Sequence, residues 1–108
     1  MRGPLFENFI VVEFMKQFLH HEQRPNCYYW RDNTGHEINL LIEHAGQIFP
    51  MEIKSSQTLK ADFFKTPEFF QKISGTPTEQ SFLVYAGTEN QNRLLGNARS
   101  WDNLPVFD

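Results

Sequence analysis

Pro50-Met51-Glu52-Ile53-Lys54, set against His36-Glu37-Ile38-Asn39-Leu40-Leu41-Ile42-Glu43, decides how this chain folds. Each run alternates apolar and polar residues, which is the period of a half-buried strand. His44-Ala45-Gly46-Gln47 lies between them and is short enough for a hairpin loop. Pairing Glu43 with Ile48 at the loop mouth puts Asn39 opposite Glu52 and Glu37 opposite Lys54. Directly opposed Cβ atoms lie about 4.5–5.5 Å apart. One face then carries Ile38, Leu40, Ile42, Phe49, Met51 and Ile53, and the other gathers Glu37, Asn39, Glu52 and Lys54. Oxygen ligands beside an ammonium group suit a metal-dependent phosphodiesterase. Asn39 is the misfit, an amide where a carboxylate is wanted.

Upstream, Leu5 to about His20 reads as a helix, with Phe6, Ile10, Phe14 and Phe18 recurring every four residues. Phe9, Met15 and Leu19 widen the apolar stripe, so the helix packs on a sheet. His20 to Asn26 is a polar exit ended by Pro25. Cys27-Tyr28-Tyr29-Trp30 is strand-like, and Arg31 to Gly35 is turn chemistry in which Asn33 or Gly35 takes positive φ.

Downstream, Lys60 to Ile73 is helical around Pro67. A short turn is expected near Phe63-Phe64, then a helix with Thr66 as cap and Pro67 at its first position, carrying Phe69, Phe70 and Ile73. Gly75 and Pro77 end it. Ser81–Ala86 reads as a buried strand, and Gly87–Arg99, rich in Asn and Gly, as loop. Trp101, Leu104, Val106 and Phe107 are spaced to tack the C-terminus onto the body. The order helix, three strands, helix, strand predicts one α/β domain over residues 1–108, with a mixed sheet and one crossover through the second helix.

At 108 residues the chain can bury a core, much of it from 11 Phe, 3 Tyr and 2 Trp. The longest apolar run, Phe82–Ala86, is far below the ~20 residues of a membrane span. The start has no signal-peptide pattern, and Cys27 stands alone, so a cytoplasmic location without disulfides is expected. Cys27 itself reads as a small buried hydrophobe. The formal charge of −3 argues against a strongly basic nucleic-acid binder. It leaves room for a local patch of Lys54, Lys60, Lys65 and Lys72, unless these form a solvated helix face.

Glu52 and Lys54, two apart on one strand, point to the same side. A lysine there can orient an attacking water or meet developing charge. The bland reading of Glu37, Glu52 and Lys54 is a solvated sheet face with a cross-strand ion pair worth about 0.2–1 kcal/mol. His20-His21, His36 and His44 lack zinc-ligand spacing. No phosphate-binding glycine loop occurs, so this chain carries no ATP site.

Three blocks together carry a resemblance: Leu5-Phe6-Glu7-Asn8-Phe9, Tyr29 to Asn39, and Pro50-Met51-Glu52-Ile53-Lys54-Ser55-Ser56. Over roughly Gly3 to Tyr85 the chain resembles the C-terminal domain of unknown function attached to bacterial and archaeal AAA-type ATPases. That domain is similar to the PD-(D/E)XK nucleases, a restriction endonuclease-like fold. The resemblance implies an αβββαβ sandwich and a C-terminal fragment of a longer ATPase chain. It implies that Glu7 is the first-helix acid, with Glu13 as the alternative. Asn39 stands at the metal-binding aspartate, while Glu52 and Lys54 match the third motif. It also implies the Ile53 carbonyl as a further metal ligand, while the strand register adds Glu37 as an additional candidate acid.

The implied cofactor is Mg2+ or Mn2+. Losing one unit charge about 4 Å away removes roughly 4 kcal/mol at an effective dielectric near 20, so binding is expected to be weak. The leading expectation is an accessory domain with a weakened or inactive site, binding DNA or the ATPase portion of its own chain. The alternatives are a structural interaction module, signalled by an exposed patch of Phe63, Phe64, Phe69 and Phe70, and an active magnesium-dependent endonuclease.

Overall fold

The computed structural model describes residues 3–20 and 26–107. Its elements run α1 (Gly3–His20), β1 (Cys27–Arg31), β2 (Glu37–His44), β3 (Gln47–Lys54), a 3-10 turn (Ala61–Phe64), α2 (Lys65–Ser74), a second 3-10 turn (Thr78–Gln80), β4 (Phe82–Tyr85), β5 (Gln91–Arg93) and β6 (Gly96–Ser100). Among the described residues the strands form one six-stranded sheet in the order β1-β2-β3-β4-β6-β5. β4 runs parallel to β3 and β6, and the other pairs are antiparallel. The fold is therefore α/β, with a mixed sheet and two helices. Most of the polar exit expected at His20–Asn26, residues 21–25, lies outside the described residues.

The β2–β3 register is the one the alternation predicts: Glu43 pairs with Ile48, Ile42 with Phe49 and Leu40 with Met51. The loop is tighter than expected, because His44 and Gln47 pair and leave only Ala45-Gly46. Both take positive φ, 54° and 76°, which is the twist a type I′ hairpin turn requires.

α1 buries Phe6, Ile10, Phe14 and Phe18 against Leu40, Ile42, Met51, Ile53, Val84 and Phe107. On the other face Phe64, Leu83, Tyr85 and Ala98 form a second core under the Ala61–Phe64 turn. Alternation along β3 and β4 produces both cores, since Met51, Ile53 and Val84 face α1 while Leu83 and Tyr85 face away.

Several expectations require correction. Ile38 does not share the α1 face with Leu40 and Ile42. Between Tyr28 and Trp30 the β1–β2 register shifts, so Asn39 and Leu40 together oppose Tyr29. Such a bulge reverses the facing of the residues beyond it. Ile38 is fully buried, pairs with Trp30, and lies outside the α1 core. Trp30 in turn packs edge-on against Phe70 of α2, with ring centroids 5.0 Å apart.

Thr66 is not the α2 cap. Phe64 occupies that position without a side-chain bond, and Pro67 falls within the first turn, where N–H groups lack helical acceptors anyway. Gly75 ends α2 at φ 73°, as the Gly-Thr-Pro sequence predicts. The expected loop at Gly87–Arg99 instead contains β5 and β6. Cys27 is half-buried rather than buried. Phe107 enters the core, Leu104 packs against it and Trp101 meets Phe9 of α1 with ring centroids 6.3 Å apart, whereas Val106 stays exposed.

Ala45 is the described non-glycine residue at positive φ, a conformation that asparagine tolerates better. Ala45→Asn is expected to stabilise the protein by about 0.5–1 kcal/mol in urea denaturation, since Asn-Gly is the preferred pair for this turn. An unchanged or lowered midpoint would contradict the turn assignment.

Candidate functional site

The β2–β3 ladder stops at Leu40–Met51, one pair before Asn39 and Glu52. At that point the Ile53 N–H donates to Asn39 Oδ1 at 2.8 Å. A side-chain amide thus replaces a ladder bond at the bulge, and β2 leaves β3 without an orphaned donor. Glu52 and Lys54 occupy β3 just past this opening.

Glu52 is not on a solvated face. It is 6% exposed, which excludes the bland reading for this residue. Burial is the main cause that pushes its pKa from 4.5 to about 7. Lys54 and the Ile53 N–H oppose the rise, while Glu7 and Glu37 reinforce it. Those influences show that Glu7, on α1, and Glu37, on β2, are close enough for their charges to act on Glu52. The N-terminus of α1 reaches this region, since a Cβ on Gly3 would sit 3.7 Å from Ser55 Oγ.

Lys54 forms no ion pair among the described residues, so the expected Glu37–Lys54 bridge is absent. Its Nζ stands 5.4 Å above the Phe63 ring, and Lys60 lies 5.9 Å from the same ring. Lys65 pairs with Asp62 at 2.8 Å and Lys72 with Glu68 at 3.5 Å. The lysine segment therefore divides into two cations flanking Phe63 and two neutralised on the helix. Phe64 and Phe70 are buried, so the four phenylalanines do not form an exposed patch.

The structure brings Glu7, Glu37, Asn39, Glu52 and Lys54 to one end of the β2–β3 pair, and Ile53 is held there by Asn39. Glu13 is elsewhere: it pairs with Lys16 at 3.1 Å and lines a separate cleft with Trp101 and Leu104. Among the described residues no three His, Cys, Asp or Glu side chains are preassembled around one point.

A second polar group was not legible in the sequence. Asp32 Oδ2 meets His36 Nδ1 at 2.9 Å, and the Thr34 hydroxyl contacts both side chains. Although desolvation pushes the Asp32 pKa up, hydrogen bonds from the His36 and Thr34 N–H groups hold it down to about 2. His36 stacks on Phe69 of α2 with centroids 3.9 Å apart. The Asp-Asn-Thr-Gly-His string signals a turn; the stacking partner comes from distant sequence.

No curated protein and no solved structure matches the chain. A family model described as "Domain of unknown function (DUF4143)" matches residues 2–104.

Because Glu52 binds its proton more tightly when folded, the native state holds more protons than the unfolded chain between pH 4.5 and about 7. Stability must then fall as pH rises through that window, by roughly 3 kcal/mol from this group. Glu52→Gln should flatten the profile and be the more stable protein at about pH 8. Denaturant titrations from acid to mildly alkaline pH check this; parallel profiles for both proteins would contradict it. Asn39→Ala should cost about 1–3 kcal/mol in the same assay, by leaving the Ile53 N–H unpaired. The match over residues 2–104 places this chain in the DUF4143 family.

Proposed function

We propose that this is a nuclease-fold accessory domain of an AAA-type ATPase, built on the PD-(D/E)XK plan. Its metal site is weakened or inactive, and it retains a role in binding DNA or its own ATPase portion. The observation that carries the reading is a buried Glu52 beside Lys54, at the place where β2 leaves the ladder and Asn39 supplies a neutral oxygen.

The donor set fits a hard divalent cation. Glu52 is a buried carboxylate without an ion-pair partner among the described residues, with two further acids near it. A bound cation would offset that repulsion. Glu52, Glu7 and the Ile53 carbonyl are the groups to hold Mg2+ or Mn2+. In an antiparallel ladder a residue's carbonyl leaves on the same edge as its N–H, so that of Ile53 faces the opening. Asn39 Oδ1 already accepts the Ile53 N–H and adds no charge. The metal would supply water activation and charge neutralisation at a phosphodiester. Lys54, held over Phe63, would orient that water or meet charge on the phosphate.

Docking without nucleic-acid chemistry is the second reading. It draws support from Leu5, Val12 and Leu19, exposed on α1 at seven-residue spacing, rather than from the phenylalanine cluster.

Asn39→Asp tests the main reading, because aspartate keeps the acceptor for Ile53 while restoring the charge. Calorimetric titration with Mn2+ should show millimolar binding or weaker for the parent, and on the order of tenfold to a thousandfold tighter binding for the variant. Affinity should rise as pH passes about 7, since Glu52 must lose its proton first. Uptake absent from both proteins would sink the metal site. Robust DNA cleavage by the parent, lost in Lys54→Gln, would show instead that the site is intact.

A further inference from the structure

A second concavity lies beyond the C-terminal ends of β3 and β4. The chain turns there around a cleft of about 360 Å³ lined by Gln57, Thr58, Thr88, Glu89, Gln91 and Arg93. Glu52 and Lys54 do not line it. Crevices outside the carboxyl ends of parallel strands are the usual ligand sites of open α/β sheets.

The rim is held in place before any ligand arrives. The Ala86 N–H donates to the Ser56 carbonyl at 3.0 Å, and the Ser100 hydroxyl donates to the Gly87 carbonyl at 2.7 Å. The buried Tyr85 hydroxyl donates to the Glu89 carbonyl at 2.8 Å and accepts from the Glu89 N–H at 3.0 Å. Gly87 is required for this closeness: a Cβ there would collide with the Tyr85 ring and stand 2.6 Å from the Gln57 carbonyl oxygen.

Arg93 supplies the recognition group. Its guanidinium lies 5.3 Å above the buried Phe64 ring, and its Nε donates to Gln91 Oε1 at 2.9 Å. Among the described residues it forms no ion pair, and its terminal nitrogens have no hydrogen-bond partner. A stacked, oriented guanidinium with free terminal N–H groups is suited to bidentate capture of a phosphate. Glu89 is held by Gln91 Nε2 at 3.2 Å and brings an acceptor of opposite charge into the same cleft. A bare phosphate would meet that carboxylate unfavourably. A ligand with an anionic end and hydroxyl donors satisfies both charges and uses Thr58, Thr88 and Gln57 as further partners.

We propose that this cleft binds a sugar phosphate unit, with the phosphate on Arg93 and the hydroxyls toward Glu89. The unit is either a free nucleotide or the end of a nucleic-acid strand.

Amide NMR titrations of the whole protein with ribose 5-phosphate, adenosine monophosphate, inorganic phosphate and a short 5′-phosphorylated single strand test the assignment. Ribose 5-phosphate should shift the amides of Gly87, Thr88 and Gln91 and bind more tightly than inorganic phosphate. A free nucleotide binding as well as the strand would identify the soluble source, and a stronger strand signal the polymer. Arg93→Gln should weaken binding about tenfold or more, as expected for loss of a bidentate charged contact. Thr88→Ala, a milder change at the rim, should weaken it several-fold, and Glu52→Gln should leave it unchanged. No shifts at millimolar ligand would overturn the proposal. Loss of binding in Glu52→Gln with Arg93→Gln unaffected would also do so, by placing the ligand in the other site.

Discussion

The hydrogen bond from the Ile53 N–H to Asn39 Oδ1 is the constraint on which the candidate site depends. A strand pair cannot simply part in the interior of a sheet, because each freed donor costs about 1–3 kcal/mol when buried without a partner. Here the extra β2 residue at the bulge and the Asn39 amide allow β2 to depart while Ile53 stays paired. Glu52 and Lys54 are thereby placed at an opening rather than in a continuous ladder. The bond asks only for an oxygen at position 39. It explains how an amide can stand where metal chemistry would prefer a carboxylate, with the local backbone geometry intact.

Burial then sets the electrostatics. Glu52 sits under the sheet's second face, where losing water outweighs the help from Lys54, and two further acids act in the same direction. A carboxyl that titrates near neutrality is one that a neighbouring cation or phosphate environment can switch. Lys54 has exchanged an ion pair for the face of Phe63, which keeps its charge available. Lys65 and Lys72 contribute nothing comparable, since their charges are met by Asp62 and Glu68 one turn away. The arrangement costs stability at the pH where it would act, as functional sites commonly do.

Much of this was legible in the chain, and the reasons are local. Strict alternation around a short glycine-containing loop determines the β2–β3 register, and fourfold spacing of Phe6, Ile10, Phe14 and Phe18 determines the buried stripe of α1. Gly75 and Pro77 mark the end of α2 by backbone chemistry alone. What escaped depends on tertiary context. The β2 bulge arises from pairing with β1 and reverses Ile38 against its own alternation. β6, Gly-Asn-Ala-Arg-Ser, has almost no intrinsic strand preference and is strand only because β4 offers a buried edge. The burial of Glu52 could not be read from Glu-x-Lys spacing, since it depends on the pairing of β3 with β4, which comes from distant sequence. The Arg93 cleft was hidden for the same reason, in a stretch that composition assigns to loop.

The pKa of the Glu52 side chain, followed by carbon-detected NMR across a pH series, tests the central claim most directly. An opening lined by a buried carboxyl predicts a midpoint of about 7. A midpoint at the ordinary value of 4.5 would mean that Glu52 is hydrated, and the account of β2, β3 and Asn39 would fail with it.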